Sequence, residues 1–416
     1  MPIVFITYSL AFVDRANYSF ATAGGLAEDL GITASVSSLV AASFFAGYFL
    51  FQIPAAHFAE RRSAVSVTYW CLILWGLFSS LQGFVSDPVS LIVMRFLLGV
   101  TEAAVFPALI ILLTRWFRAR ERGRANTFLI LGSPVTVMWM SAVTGYLIEV
   151  TSWRAMFVIE GVPAILFAFV FRKLVRDLPT QAPWMPKDEA VALEADLERE
   201  QAALPKMAGY GQAFRQPRVL ILCVQYACWT IGIYGLVFWL PTIIKAGSNQ
   251  GIGDTGLLSA FPYLLAVIFM VLNSRWSDRS SASRGRFVWP VLLASAGLFY
   301  LSYLVGEQHF LVSFLSLSLA CGLMYAPYGT YFAAITEMLP RNVAGAATAL
   351  VNSCGAVGSF LGTYMIGWLT GDFGQGFAFL FLAGSLLAAS FLMLAVRAPS
   401  RAIVRAAPTP TEAAAS

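Results

Sequence analysis

The segment that most constrains the fold is residues 91–115, LIVMRFLLGVTEAAVFPALIILLTR, which predicts a membrane-spanning helix with Arg95 and Glu102 inside it. These residues are seven positions apart, so at about 3.6 residues per turn both side chains point to one side of the helix. A charge at the bilayer centre costs about 2.5–3.5 kcal/mol on the insertion scale, and two charges on one side therefore indicate a polar interior. A second charged pair, Asp14 and Arg15, interrupts the first apolar run. We expect the two pairs to meet across a water-accessible cavity halfway through the membrane.

The composition favours a membrane protein with many spans. Of the 416 residues, 58% are hydrophobic and 12% are charged, with a mean hydropathy of +0.73. Soluble domains carry about 25% charged residues, so this chain could not cover a globule of its size with polar surface. We interpret the net charge of +5 as arginine in cytoplasmic loops and not as a surface for nucleic acid or another acidic partner.

Neither a metal site nor a disulfide framework is expected. The five cysteines all fall in apolar runs without a CxxC pair, and we interpret them as reduced packing residues. His57 and His309 lie near helix ends with no acidic or cysteine cluster beside them. The sequence shows no nucleophile–base pairing and no phosphate loop, which argues against an enzyme, and no cofactor other than a coupling proton is expected.

Apolar runs separated by short charged turns predict an all-α membrane protein with twelve transmembrane helices. A polar linker, 175–216, is expected to lie in the cytoplasm between an N-terminal six-helix half, 1–174, and a C-terminal six-helix half, 217–397. An acidic run within the linker predicts a surface helix, and the tail 398–416 is expected to be disordered. The predicted spans are 3–24, 36–58, 64–85, 88–114, 122–149, 154–174, 217–244, 254–276, 287–305, 309–335, 343–370 and 374–396.

The distribution of basic residues predicts the orientation of the chain. Of the basic residues in the predicted turns, only Arg154 and Lys245 fall on the side of the membrane opposite the N-terminus. By the positive-inside rule, both termini are expected in the cytoplasm, in a multi-pass protein of the cell inner membrane. The basic clusters that would then be cytoplasmic lie at 61–62, 115–124, 172–176, 275–286 and 341 and from 397 onward.

Two similar turns suggest an internal repeat. AHFAERRSA follows the second predicted helix and NSRWSDRSSASRGR follows the eighth, so Glu60-Arg61 and Asp278-Arg279 occupy corresponding places in the two halves. At these turns the chain resembles the major facilitator superfamily, with its loop motif G-x-x-x-D-R-x-G-R-R. The first turn departs from the motif, because Glu60 replaces Asp and the leading Gly is absent. The resemblance makes these four residues candidates for gating loops.

Within that superfamily the chain resembles the anion:cation symporter family of organic-anion permeases. The runs that carry the resemblance are VDRANYSFA, GYFLFQIPAA, RFLLGVTEAAVFPA, SWRAMFVIEGVPA and DLPTQAPWMPKDE. MYAPYGTYFAAITEMLPRNVAGAATALVNSCGAVGSF is most similar to the sugar-acid branch, which includes 2-ketogluconate and galactonate permeases. The resemblance extends to about residue 397 and implies two pseudo-symmetric six-helix halves around a central site, with uptake of an organic anion together with protons.

Asp14 and Glu102 are the candidates for proton coupling. Burial disfavours the charged form of a carboxyl group and a nearby arginine favours it, so the carboxyl can bind a proton on one side of the membrane and release it on the other. The alternative is a static buried ion pair, and Asp14 could simply be the partner of Arg15. The resemblance implies protonation at the same two positions.

Arg15 and Arg95 are the candidates for anion binding, because a guanidinium stays charged when buried and can bind a carboxylate with two parallel hydrogen bonds. The alternative is charge balance, since two arginines against two acids leave the cavity neutral without a ligand. We favour Arg15 for contact with the substrate. Arg95 could equally sense the protonation of Glu102.

Several polar residues are candidates for binding the rest of the substrate. Tyr48 and Gln52 are one turn apart on the second helix, and Gln52 could equally form a hydrogen bond between helices. The resemblance implies substrate contacts for Tyr48 and for Asn352. Some family members have a substrate-binding Gln in the fifth helix, where this chain has Ser133.

Three tyrosines recur every third residue in the tenth helix, so at least one of Tyr325, Tyr328 and Tyr331 should line the cavity. The others are as well explained by packing. Glu160, near the outer end of the sixth helix, is better explained by a structural hydrogen bond than by a role in the site.

These residues predict a proton-coupled symporter that imports a small organic anion, most simply a sugar acid, as a monomer in the lipid bilayer. The alternatives are an anion exchanger, a carrier of an aromatic or dicarboxylic acid, and a transporter-like membrane sensor that binds without flux.

Overall fold

The computed structural model describes residues 1–202, 215–280, 282–338 and 341–396, and within these ranges the chain contains helices and turns but no strand. Residues 203–214 of the predicted linker and the predicted disordered tail 398–416 lie outside the described ranges. The longer helices are α1 Pro2–Ala21, α2 Ala34–Arg61, α3 Ala64–Leu81, α4 Pro88–Glu102, α5 Val105–Trp116, α6 Ala119–Val150, α7 Trp153–Leu174, α8 Lys187–Ala202, α9 Pro217–Ser248, α10 Ile252–Arg279, α11 Trp289–Val305, α12 Phe310–Tyr325, α13 Tyr328–Met338, α14 Arg341–Asp372 and α15 Gln375–Ala395.

The predicted twelve-helix architecture is confirmed. Eleven segments of the described chain are long and apolar enough to cross a membrane, with α4–α5 and α12–α13 each forming one segment. Helix α1 is not among the eleven, because Asp14, Arg15 and Asn17 lower its hydropathy. It nevertheless spans 20 residues, about 30 Å, and its polar residues are covered by neighbouring helices.

Two spans that the sequence predicts as continuous helices are interrupted. The fourth span breaks after Glu102, where Pro107 has no N–H to bond the carbonyl of Ala103. The tenth span breaks at Ala326-Pro327. These two spans are six helices apart, so the breaks occupy corresponding places in the two halves. Each break lies beside candidate residues, Glu102 in one half and Tyr325 and Tyr328 in the other.

The two halves contact each other through corresponding helices. Helix α2 packs on α14 and α6 packs on α10, while α1 packs on α9. Hydrogen bonds join the halves at the end opposite α8, where Lys245 Nζ donates to the carbonyl of Ala23 at 2.7 Å and Tyr146 donates to Asp254 at 3.1 Å. We call this the closed end of the molecule.

Candidate functional site

Close packing of α2 against α4 positions the charged residues of the fourth span. Gly99 lies between Arg95 and Glu102 on the same side of α4, and a Cβ at Gly99 would overlap the carbonyl oxygen of Phe44 in α2. A Cβ at Gly47 would likewise overlap the carbonyl oxygen of Phe96. The two helices therefore cross backbone to backbone between the two charges, which is possible only for glycine.

The two charged pairs meet, but in a pairing that the sequence did not specify. Arg15 Nε donates to Glu102 Oε2 at 3.0 Å, so Arg15 pairs with the acid of α4 and not with its neighbour Asp14. Glu102 is fully buried, whereas the Arg15 side chain is 11% exposed. The guanidinium lies over the rings of Phe12 and Tyr48, with its Cζ 4.8 and 4.9 Å from the ring centroids. The other carboxylate oxygen of Glu102 has no hydrogen-bond partner among the described residues.

Asp14 and Arg95 form a second buried group behind this pair. Asp14 accepts hydrogen bonds from Ser79 and from Asn17 Nδ2, the latter at 3.3 Å. Arg95 Nη1 donates to the backbone carbonyl of Asp14 at 3.1 Å, and its Cζ lies 4.7 Å from the centroid of the Tyr18 ring. Arg95 is 2% exposed. Of the two arginines, Arg15 is therefore the one that faces the space between the halves, and Arg95 holds α1 in place.

Tyrosines from both halves surround Arg15. The hydroxyls of Tyr8, Tyr48 and Tyr234 lie within electrostatic reach of its guanidinium, as does that of Tyr328. Tyr8 and Tyr234 are not among the residues predicted from the sequence. A signal for Tyr8 was present, because it precedes Arg15 by seven positions and so shares its side of α1.

The C-terminal wall of the site is aromatic. Tyr226 and Tyr328 share a hydrogen bond of 3.0 Å, and Tyr328 stacks on Tyr325. Tyr331 is fully buried and donates to the carbonyl of Leu222, so it has a packing role. Tyr226, which lies on the same helix as Tyr234, is not among the residues predicted from the sequence.

The remaining candidates lie on three different helices. Gln52 is buried on α2, and its Oε1 has no hydrogen-bond partner among the described residues. Ser133 is half-buried beside Gly132, where α6 packs on Tyr8. Asn352 is half-buried on α14. Their contacts with a substrate stay predictions.

The candidate gating residues lie at the ends of α2 and α10. Asp278 pairs with Arg284 at 3.0 Å, and its neighbour Arg279 is exposed. Arg61 is exposed as well, and the side chain of Glu60 lies outside the described residues.

The described residues contain no group of three His, Cys, Asp or Glu side chains that could hold a metal ion. The site brings together one partly exposed guanidinium, a buried carboxylate paired with it, and hydroxyls from both halves. These residues lie within helices of the predicted membrane-spanning bundle.

Two six-helix halves around a buried polar site define a membrane transporter. The Major Facilitator Superfamily model matches residues 4–363 and 250–415. The chain belongs to the major facilitator superfamily, and it is a transporter and not an enzyme.

Three similar proteins have names that describe different substrates. The protein named "Putative tartrate transporter" from Agrobacterium vitis is 33% identical over 95% of this chain and 88% of its own length. A "Quinolone resistance transporter" of Acinetobacter baumannii is 29% identical over 91% of this chain and 89% of its own. A "Probable galactarate/D-glucarate transporter" of Escherichia coli is 25% identical, covering 89% of this chain and 86% of its own.

Among solved structures, the xylose transporter of Escherichia coli in an inward-open conformation superposes with a TM-score of 0.73. The two chains are 15% identical, and the match covers 96% of this chain and 99% of that one. This likeness supports the fold.

Proposed function

We propose that this protein is a proton-coupled symporter that imports a sugar acid or a similar small organic anion by alternating access. The observation that carries the proposal is the ion pair between Arg15 and Glu102, since one of its members can bind an anion and the other can bind a proton. Each half also supplies tyrosine hydroxyls to the space around Arg15.

The coupling follows from competition for one guanidinium. While Glu102 is ionised, its negative charge neutralises Arg15 and repels a substrate carboxylate. A proton on Glu102 removes its charge and releases Arg15, which can then bind the carboxylate with two parallel hydrogen bonds. Proton and anion therefore favour each other's binding, and by linkage the effect is reciprocal.

The hydroxyl groups of a sugar acid would bind to residues of both halves. Tyr48 and Tyr8 would contribute from the N-terminal half, and Tyr234, Tyr328 and Asn352 from the C-terminal half. A substrate held by both halves would favour the state in which they close around it, after which rocking of the halves exposes the site to the other side.

The orientation proposed from the basic residues makes the closed end the outer end. Both termini and α8 would then lie in the cytoplasm, and the protein would span the inner membrane with Lys245 and Arg154 outside. In this orientation the structure is sealed towards the outside by the contacts of Lys245 and Tyr146.

A second candidate function is transport of an aromatic acid. It is favoured by the aromatic wall, where Tyr328 stacks on Tyr325 and shares a hydrogen bond with Tyr226. Such a wall can bind the apolar face of a sugar or the ring of an aromatic substrate equally well.

The test is uptake into proteoliposomes, with and without an inward proton gradient, of labelled 2-ketogluconate, gluconate, galactonate, tartrate and an aromatic acid. We expect gradient-driven accumulation of a sugar acid by the parent. Glu102→Gln should lose accumulation and keep substrate binding, whereas Glu189→Gln, on the exposed surface of α8, should behave as the parent. Exchange without accumulation by the parent would establish an exchanger instead, and binding with neither flux nor exchange would establish a sensor.

A further inference from the structure

The helices of the C-terminal half carry no charged residue in the middle of the membrane. Every Asp, Glu, Lys and Arg between residues 217 and 396 lies in a turn or within five residues of the end of its helix. Lys245 and Arg275 are the cations that come furthest into a helix, and Lys245 is held at the closed end by the carbonyl of Ala23. A substrate at the centre therefore finds its cation in the N-terminal half.

Two cations, Arg15 and Arg95, lie in the middle of the N-terminal spans, and one of them is covered. Arg95 is 2% exposed, donates to the backbone carbonyl of Asp14 and lies over the Tyr18 ring. The Phe44 ring adjoins both guanidiniums, with its centroid 5.4 Å from Cζ of Arg95 and 5.5 Å from Cζ of Arg15. Within the described part of the chain, Arg15 is therefore the single cation that a ligand between the halves can reach.

The wall opposite this arginine is aromatic and carries neutral hydroxyls. Tyr234 of α9 packs edge-on against Phe45 of α2, with ring centroids 4.7 Å apart, so the wall meets the helix that places Tyr48 beside the guanidinium. On the same wall, Tyr226 and Tyr328 share one hydrogen bond of 3.0 Å. Because each hydroxyl has one hydrogen, this pair keeps one O–H and several lone pairs for a ligand.

A ligand with one carboxylate matches this division of charge, and a ligand with two does not. Arg15 can pair with one carboxylate, while a hydroxymethyl group or a ring at the other end of the ligand would meet hydroxyls and ring faces. A second carboxylate would accept hydrogen bonds but could not donate any, and it would lose its water without gaining a cation. Burial of an unpaired charge is much more costly than burial of a neutral hydroxyl.

We propose that the site selects its substrates by charge, so that it binds monocarboxylates such as aldonic or aromatic acids and rejects dicarboxylates with the same carbon skeleton. This names the substrate class of the proposed transport and rests on that proposal, because both use Arg15 as the anion-binding group. The selection itself is a property of binding, which can be measured without a proton gradient.

The first experiment compares matched acids for binding to the purified protein. D-gluconate and D-glucarate differ only in having a hydroxymethyl group or a carboxylate at one end, and benzoate and phthalate form a second pair for an aromatic substrate. At pH 7.5 the carboxyl groups of all four acids are ionised. Titration calorimetry uses the Glu102→Gln variant, in which no proton has to bind first. The monocarboxylate of one pair should bind about 100-fold more tightly than its dicarboxylate.

The second experiment adds a cation to the wall. Tyr328→Lys supplies the charge, and Tyr328→Phe is the matched control, because it removes the same hydroxyl without adding a charge. Relative to the phenylalanine variant, the lysine variant should bind the dicarboxylate at least about tenfold more tightly, since a charge-assisted hydrogen bond is gained, and the preference for the monocarboxylate should narrow.

The outcomes separate this proposal from the proposed transport. A dicarboxylate that binds as tightly as its matched monocarboxylate would overturn the charge selection, and so would equal effects of lysine and phenylalanine at Tyr328 on the two acids. Binding of neither acid of either pair would overturn both proposals. Binding of a monocarboxylate with no proton-driven uptake by the parent would reject the symport and keep the charge selection.

Discussion

At the scale of single residues, Arg15 is distinguished from Arg95 by its exposure and its partners. Arg15 touches the space between the halves and is held by a side-chain carboxylate, which a ligand can replace. Arg95 is bound to a backbone carbonyl, which no ligand replaces. The sequence shows two equivalent cations, and the structure makes one a candidate for binding and the other a support.

Replacing Arg15 by lysine tests this distinction, because lysine keeps the charge but cannot form two parallel hydrogen bonds with a carboxylate. We expect Arg15→Lys to lose one charge-assisted hydrogen bond, about 1.5–3 kcal/mol, which raises the KM for uptake about 10- to 150-fold. Uptake kinetics in proteoliposomes measure this. Arg218→Lys, at an exposed position at the start of α9, serves as the control. An unchanged KM would show that Arg15 does not hold the carboxylate.

At the scale of helices, the sequence predicts most of the fold and only part of the site. A charge in hydrocarbon is costly, so charged residues inside an apolar run can be recognised from the sequence as candidates for a polar site. These residues are Asp14, Arg15, Arg95 and Glu102. The pairing of the arginines with the acids depends on how closely α2 and α4 cross. That crossing is set by the contact between Gly99 and the carbonyl oxygen of Phe44, which lies 55 positions earlier in the chain. No local pattern encodes such a contact.

The same limit explains the other differences. The breaks in the fourth and tenth spans were missed because proline does not always interrupt a helix, as Pro54 within α2 shows. Tertiary packing decides each of these cases.

The crossing of α2 and α4 can be tested through Gly99→Ala. The added Cβ would meet the carbonyl oxygen of Phe44, which is backbone and cannot move aside, so overpacking should cost about 1–3 kcal/mol. A lower Tm in detergent and weaker substrate binding are expected. Gly297→Ala in α11 is the matched control, since nothing lies within 4 Å of its added Cβ and alanine favours a helix by about 0.5–1 kcal/mol. Equal Tm values for Gly99→Ala and the parent would contradict the close crossing.

The turn between α1 and α2 is tied to the start of α7 by Asp29. Its carboxylate pairs with Arg154 and accepts a hydrogen bond from the Trp153 indole at 3.2 Å. The hydrogen bond from Arg154 holds the pKa of Asp29 below its ordinary value of 3.8. Because the folded-state pKa is lowered, this tether is present above the ordinary value and is lost as the pH falls through the lowered one.

The turn should therefore stay in place at every pH from neutral down to about 4, which is near the ordinary pKa of an aspartate. Asp29→Asn should loosen it at neutral pH, which hydrogen exchange of residues 27–33 would detect as faster exchange than in the parent at the same pH. Glu28→Gln, at the adjacent exposed position, controls for the change of charge. Faster exchange in the parent between pH 7 and 5, after correction for the intrinsic rate, would contradict the tether.

At the scale of the whole molecule, the two halves are closed at one end by small residues. In the contact of α6 with α10, a Cβ at Gly256 would overlap the carbonyl oxygen of Ser141 and lie 3.0 Å from the Cα of Gly145. In the corresponding contact of α2 with α14, a Cβ at Gly367 would overlap the side chain of Ser38. The closed state therefore depends on backbones that approach each other directly in both symmetry-related contacts.

Gly256→Ala should separate α6 from α10 and favour the state that is open at this end. Overpacking by one methyl group costs about 1–3 kcal/mol, which corresponds to a shift of about 5- to 150-fold in the equilibrium between the two states. Spin labels at the exposed positions Val150 and Leu311, in a background without the five native cysteines, report the separation of the halves at the closed end.

The expected result is a longer mean distance between the labels in Gly256→Ala. Gly384→Ala in α15 is the control, because nothing lies within 4 Å of its added Cβ, and it should leave the distance distribution as in the parent. Proton-driven uptake should fall in Gly256→Ala while substrate binding from the closed-end side increases, since only the balance of states has changed and the site itself is intact. An unchanged distance distribution would show that the glycine contact does not determine which end of the transporter is closed.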